Sequence, residues 1–211
     1  MKSPMARDDW YRNANWNDEI STHFEEKLRR ARNKNQYLRI QALTLIPKYP
    51  QVALGLLDRY FSLDESHDRA LAYQAQAEAC LSLGRIDDAI VAYEATLRQE
   101  SAKPNVGTWV SVEYPYLVAV RGLTQYFQRA LEVLASRRSG LVFPVIRFKF
   151  HAARALILAA QGDATQAQPE AKLALDAAAE KRSEFERHPT LGLVSNADAD
   201  AVRRLEKLCG G

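Results

Sequence analysis

Four histidines, His23, His67, His151 and His188, are the residues of this sequence best suited to bind a metal or move a proton. They lie far apart along the chain, and none forms an HExxH or HxH spacing. His151 falls at a position that reads as aromatic packing. Asp87–Asp88 is the nearest approach to an acid pair, yet it opens a helix, where acids stabilise the dipole. The two cysteines, Cys80 and Cys209, make no CxxC and no disulfide framework, so a reducing cytoplasm is the natural setting. No GxGxxG, P-loop or GxSxG occurs. The expectation is a protein that is not an enzyme and needs neither metal nor cofactor. What chemistry the chain carries is then that of a surface.

Charge narrows the partner. The chain has 211 residues, a net charge of +3 and 26% charged residues. That excess is mild, so nucleic acid is an unlikely partner. No run approaches the roughly 20 apolar residues of a membrane span, and "MKSPMARDDWYRNANW" has no apolar signal region. Met1 to about Arg7 reads as a tail.

The elements that must position such a surface are helices. Alanine and leucine abound and only 9 glycines occur. From Asn17 to Arg32, Ile20, Phe24, Leu28 and Ala31 form an apolar stripe, with Asn17 as N-cap and a basic end. Pro47 and Pro50 divide the next stretch into helices at about 35–46 and 50–62. Two more follow near 67–83 and 86–99. "SAKPNVGTWVSVEY" reads as a long irregular connection, with helix restarting at Pro115 in a first turn. After "QYFQRALEVLASRR" and the break "SGLVFP" come another helix, a glycine turn and a long helix. "HPTLGLVS" reads as extended, and "NADADAVRRLEKL" as a final helix capped by Asn196 or Asp198. No series of strands is visible, so the class is all-α.

The same small residue recurs early in successive second helices. Ala53, Ala89, Ala130 and Ala167 are separated by 36, 41 and 37 residues. Helical hairpins that bury each other's faces need a small residue where they cross. One unit reads Tyr73, Ala77, Cys80, Gly84, Ala89, Tyr93. Another reads His151, Ala155, Leu158, Gly162, Ala167, Ala171, Ala174, Leu175 at matching offsets. Gly84 and Gly162 are the turns, and Tyr93 fills the space between units.

This order of residues resembles the tetratricopeptide repeat, a helix–turn–helix unit of about 34 residues. The likeness covers roughly residues 34–180. It is specific at Ala70–Glu100 and in the first helix and turn of Phe148–Ala179, whose second helix carries Pro169. Units around 34–61 and 111–138 are degenerate: one has a double-proline turn, the other Thr124 and Gln125 where the turn glycine would stand. The chain also resembles uncharacterised bacterial tetratricopeptide-repeat proteins that begin with a DWYR-like segment, here Asp9–Trp10–Tyr11–Arg12.

The resemblance implies a right-handed superhelical solenoid of about four antiparallel helix hairpins with N- and C-terminal capping helices. Residues 1–16 would be a tail and aromatic segment, 17–187 the solenoid, and 188–211 an extended segment and capping helix. Such solenoids bind a peptide or partner helix along the concave face that the first helices line. The lysine–asparagine–arginine clamp that one subtype uses for a C-terminal carboxylate is absent here. Arg39, Gln74, Glu78, Arg121 and Lys149 are the polar groove candidates. Trp109 and Tyr114, in the long connection, are candidate exposed loop contacts. Trp10, Tyr11 and Trp16 are expected to pack over the first hairpin. The apolar stretch 188–195 is expected to fold back on the last hairpin or into the groove.

Function reads as a cytoplasmic scaffold or adaptor that binds a protein or peptide of unknown identity. The capping helices favour a monomer over a homodimer. The alternative is a nucleic-acid-associated regulatory protein using a basic helix at 27–34.

Overall fold

The computed structural model describes residues 9–63, 68–103, 107–136, 141–183, 185 and 187–210. The expected tail at 1–7 and His67 lie outside these. The described chain is all-helical, with no strand. It divides into two compact units, Met1–Thr108 and Trp109–Gly211, a boundary inside the stretch that the sequence reads as one solenoid.

The first unit holds α1 (Asp18–Arg30), α2 (Lys34–Leu45), α3 (Pro50–Phe61), α4 (Arg69–Ser82) and α5 (Ile86–Ala102). Asn17 caps α1 by accepting from the Ile20 amide at 2.8 Å. Helix α1 ends at Arg30, and Ala31 is extended. The basic residues 27–34 therefore do not share one helix: they span the end of α1, a break and the first residue of α2. Helices α2 and α3 pair, α4 and α5 pair, and α3 stacks on α4. Alanine makes the approach possible: Ala42, Ala53, Ala72, Ala77, Ala79 and Ala89 are all buried. Tyr60 and Tyr93 fill the remaining space.

Residues 9–16 are held against this unit as expected. Trp10 packs on Phe24 and Tyr37, and Trp16 packs edge-on against Phe24. The fixing element is Gln41, whose side chain is fully buried on α2. Its Oε1 accepts from the Asn13 amide at 3.0 Å, and its Nε2 donates to the Asn13 carbonyl at 2.8 Å. One carboxamide thus satisfies both backbone groups of Asn13.

The second unit holds α6 (Val110–Arg121), α7 (Phe127–Ser136), α8 (Pro144–Ala160), α9 (Ala164–Ala178) and α10 (Ala199–Cys209). The expected irregular connection is shorter than the sequence suggests. Helix α6 begins at Val110, so Pro115 lies inside the helix rather than in its first turn. Burial of Val110, Val112 and Tyr114 outweighs the weak helix propensity of the β-branched residues. Pro169 likewise does not delay α9, which starts at Ala164. Helices α8 and α9 pair along their length, while α8 packs on α6 far more than on α7.

One backbone turn closes three of the hairpins. Gly84, Gly122 and Gly162 have φ of 72°, 64° and 84°. The residue after each, Arg85, Leu123 and Asp163, has φ near −80° to −90° and ψ of 72°, 76° and 73°. Its amide reaches back five residues, to the carbonyl of Cys80, Val118 or Leu158 respectively, at 2.9–3.0 Å. The degenerate hairpin therefore does have its turn glycine. Gly122 holds the place sought at Thr124 and Gln125, and Thr124–Tyr126 form a 3-10 turn inserted before α7. Ala130, eight residues after its glycine, is as fully buried as Ala89 and Ala167, which stand five after theirs.

The segment 188–195 is not extended. It runs through turns, with Gly192 at φ 72°. It does fold onto the last hairpin: Val145 at the start of α8 donates to the Gly192 carbonyl at 2.8 Å. Leu191 remains 48% exposed, while Leu193 and Val194 are half-buried.

Candidate functional site

In the first unit Arg39 and the pair Gln74 and Glu78 sit on touching helices, α2 and α4. They are bonded within the chain. Arg39 pairs with Asp68 at 2.9 Å, and Gln74 donates to Glu78 at 2.9 Å. Leu43, one turn beyond Arg39 on α2, is half exposed. Tyr73 stacks on Phe61 at 4.5 Å between ring centres and is structural, as is Ala77.

In the second unit Lys149 lies on α8 facing α6. Its ammonium donates to both Glu113 oxygens at 2.8–2.9 Å and sits 5.3 Å from the centre of the Tyr116 ring. Tyr116 donates to Asp198 at 2.8 Å. Burial, then that bond to a carboxylate, push its phenol well above the ordinary range. Arg204 on α10 donates to the Val120 carbonyl, in the last turn of α6, at 2.9 Å. Arg121 is exposed beside it. Ser195 and Asp198 cap the turn that leads into α10, each accepting or exchanging bonds with the other's backbone. Sequence spacing gives no sign of this group, because its members stand 82 and 84 residues apart.

The loop candidates separate. Trp109 is 37% exposed and packs edge-on against Phe143. Tyr114 is fully buried inside α6 and is not a loop contact, because the helix starts four residues before it.

His151 is more than a packing residue. Its Nδ1 lies 2.7 Å from Glu170, and Arg154 donates to the same carboxylate at 2.6 Å. Burial raises the Glu170 carboxyl, but the His151 bond and the Arg154 charge together outweigh it and hold the group below its usual range. The cluster clasps α8 to α9. It has no nucleophile among its described partners.

Concavities also mark the surface of the described residues. One of about 190 Å³ is lined by Asp58 on α3, Gln76 and Cys80 on α4, and Arg85 and Asp88 at the start of α5. Burial pushes the Cys80 thiol up, and the Arg85 charge only partly offsets it, so this thiol is a poor nucleophile. Another is an open cleft of about 700 Å³ between α9 and the end of α10, beside Pro169, Leu175 and Cys209. Among the described residues no group of three or more His, Cys, Asp or Glu is placed to hold a metal ion, and no helix is long and apolar enough to cross a membrane. The chain matches no protein-family model, no curated protein and no solved structure.

Proposed function

We propose that the chain is a tetratricopeptide-like α-solenoid that works without catalysis as a protein-interaction scaffold in the cytoplasm. The observation that supports this reading is the recurrence of one hairpin turn at Gly84, Gly122 and Gly162, each followed by a helix with a buried alanine at the crossing. A stacked-hairpin scaffold presents successive helix faces as a docking surface. Arg39, Gln74, Glu78 and Leu43 on α2 and α4 then offer polar selectivity around a small apolar contact, with Lys149 and Arg121 as their counterparts on α8 and α6.

The test is capture on immobilised full-length protein, comparing wild type with Arg39→Glu and Glu78→Arg, each checked for helicity. A protein retained by wild type, lost with either variant and insensitive to nuclease bears the reading out. Retention of nucleic acid that falls steeply between low and moderate salt would instead favour the basic segment 27–34.

A further inference from the structure

Three helices of the first unit, α3, α4 and α5, line the concavity of about 190 Å³. Spacing brings polar side chains to it. Gln51 and Asp58 stand two turns apart on one face of α3, and Gln76 and Cys80 one turn apart on α4. Cys80 is 3% exposed, and its thiol has no hydrogen-bond partner among the described residues. A buried polar group thus lines the hollow unpaired. The side chains of Gln51, Asp58 and Gln76 likewise have no partner among the described residues. Arg85 at the start of α5 donates its Nε to Asp88 at 2.7 Å.

Two carboxylates therefore face one guanidinium, and Asp58 is the charge left over. It lies in the last four residues of α3, where the helix dipole opposes an acid and favours a cation. The Cys80 thiol senses this balance. Burial raises it, Arg85 opposes the rise, and Asp88 and Asp58 both reinforce it. The volume is below the roughly 300–1,000 Å³ of sites for drug-sized molecules, and so fits one side-chain-sized group.

We propose that this concavity binds an alkyl guanidinium group. A guanidinium suits it better than an ammonium, because it is more weakly hydrated and offers five donors in one plane. Asp58 receives paired donors, the Gln51 and Gln76 carboxamide oxygens receive others, and the Cys80 sulfur accepts weakly. Leu54 and Val91 flank the alkyl stem. Gln76 and Cys80 stand across α4 from Gln74 and Glu78, so the site is separate from the face that carries those residues.

The probe is N-acetylarginine amide, titrated into isotope-labelled full-length protein. The side-chain amide signals of Gln51 and Gln76 should shift together and saturate at about millimolar concentration. N-acetylcitrulline amide, of the same shape without the charge, should bind about tenfold more weakly, and Asp58→Asn should lose a similar factor. Arg85→Gln should instead bind about threefold more tightly, because a competing cation leaves. Circular dichroism checks that each variant folds. Free L-arginine separates the sources of the group: binding tighter than the blocked probe assigns a free guanidino compound, and weaker binding assigns an arginine side chain of a protein. Either order bears the site out. Shifts that never saturate, equal binding of the citrulline probe, or an Asp58→Asn protein that binds like wild type would each overturn it.

Discussion

Replacing Gln41 by leucine tests how residues 9–16 are held. The side chain is fully buried, and leucine is close to it in volume, so packing changes little. What is lost is the pair of hydrogen bonds to the Asn13 amide and carbonyl. Each contributes about 0.5–1.5 kcal/mol net, so Gln41→Leu should cost about 1–3 kcal/mol. At about 2–4 °C per kcal/mol for a chain of this size, the midpoint should fall by about 2–12 °C. The loss is local before it is global. Trp10 should leave its contacts with Phe24 and Tyr37, so tryptophan emission should shift to the red below the main transition. Thermal melts followed by circular dichroism and by fluorescence read both effects. An unchanged midpoint with unchanged emission would refute the account of Gln41 as the fastener of this segment.

Further outcomes follow from the same geometry. Glu170→Gln should destabilise by about 2 kcal/mol at neutral pH through its two charged hydrogen bonds. Because the folded carboxyl is held below its unfolded value, this contribution is present above about pH 4 and fades as pH falls through the lower folded value, so the two urea curves should converge in acid. Thiol titration of the native protein should find Cys209 reactive and Cys80 slow until unfolding; two fast thiols would contradict the burial of Cys80. Gly192→Ala should lower stability more than Gly122→Ala. Both glycines have positive φ, but only at Gly192 would the added methyl strike the Phe143 ring, and equal midpoints would show that the ring yields freely.

Most helices can be read from the sequence because their signals are local. Asn17 caps α1, and Gly84 and Gly162 punctuate hairpins whose alanines recur on schedule. Reading fails where distant burial overrides local preference. Val110, Ser111 and Val112 look like loop or strand, yet the core they enter makes them helix and carries Tyr114 inside. Gly122 is missed because three residues intervene between its turn and α7. The Tyr116–Asp198 contact leaves no periodic trace at all, since a hydrogen bond between residues so far apart is specified by the fold alone. Spacing puts the groove candidates on helices, but their engagement with Asp68, Glu78 and Glu113 is a matter of three-dimensional packing.

The three residues Thr124–Tyr126 have a mechanical consequence. A 3-10 helix completes one revolution in three residues and rises about 2 Å with each. Inserting one such revolution carries α7 about 6 Å forward and returns it to the same rotational phase. Phe127, Ala130, Val133 and Leu134 therefore still face inward. The hairpin is tolerant of length in steps of three: excising Thr124–Tyr126 should keep that stripe buried, while excising two of them should turn it by about 120° toward solvent.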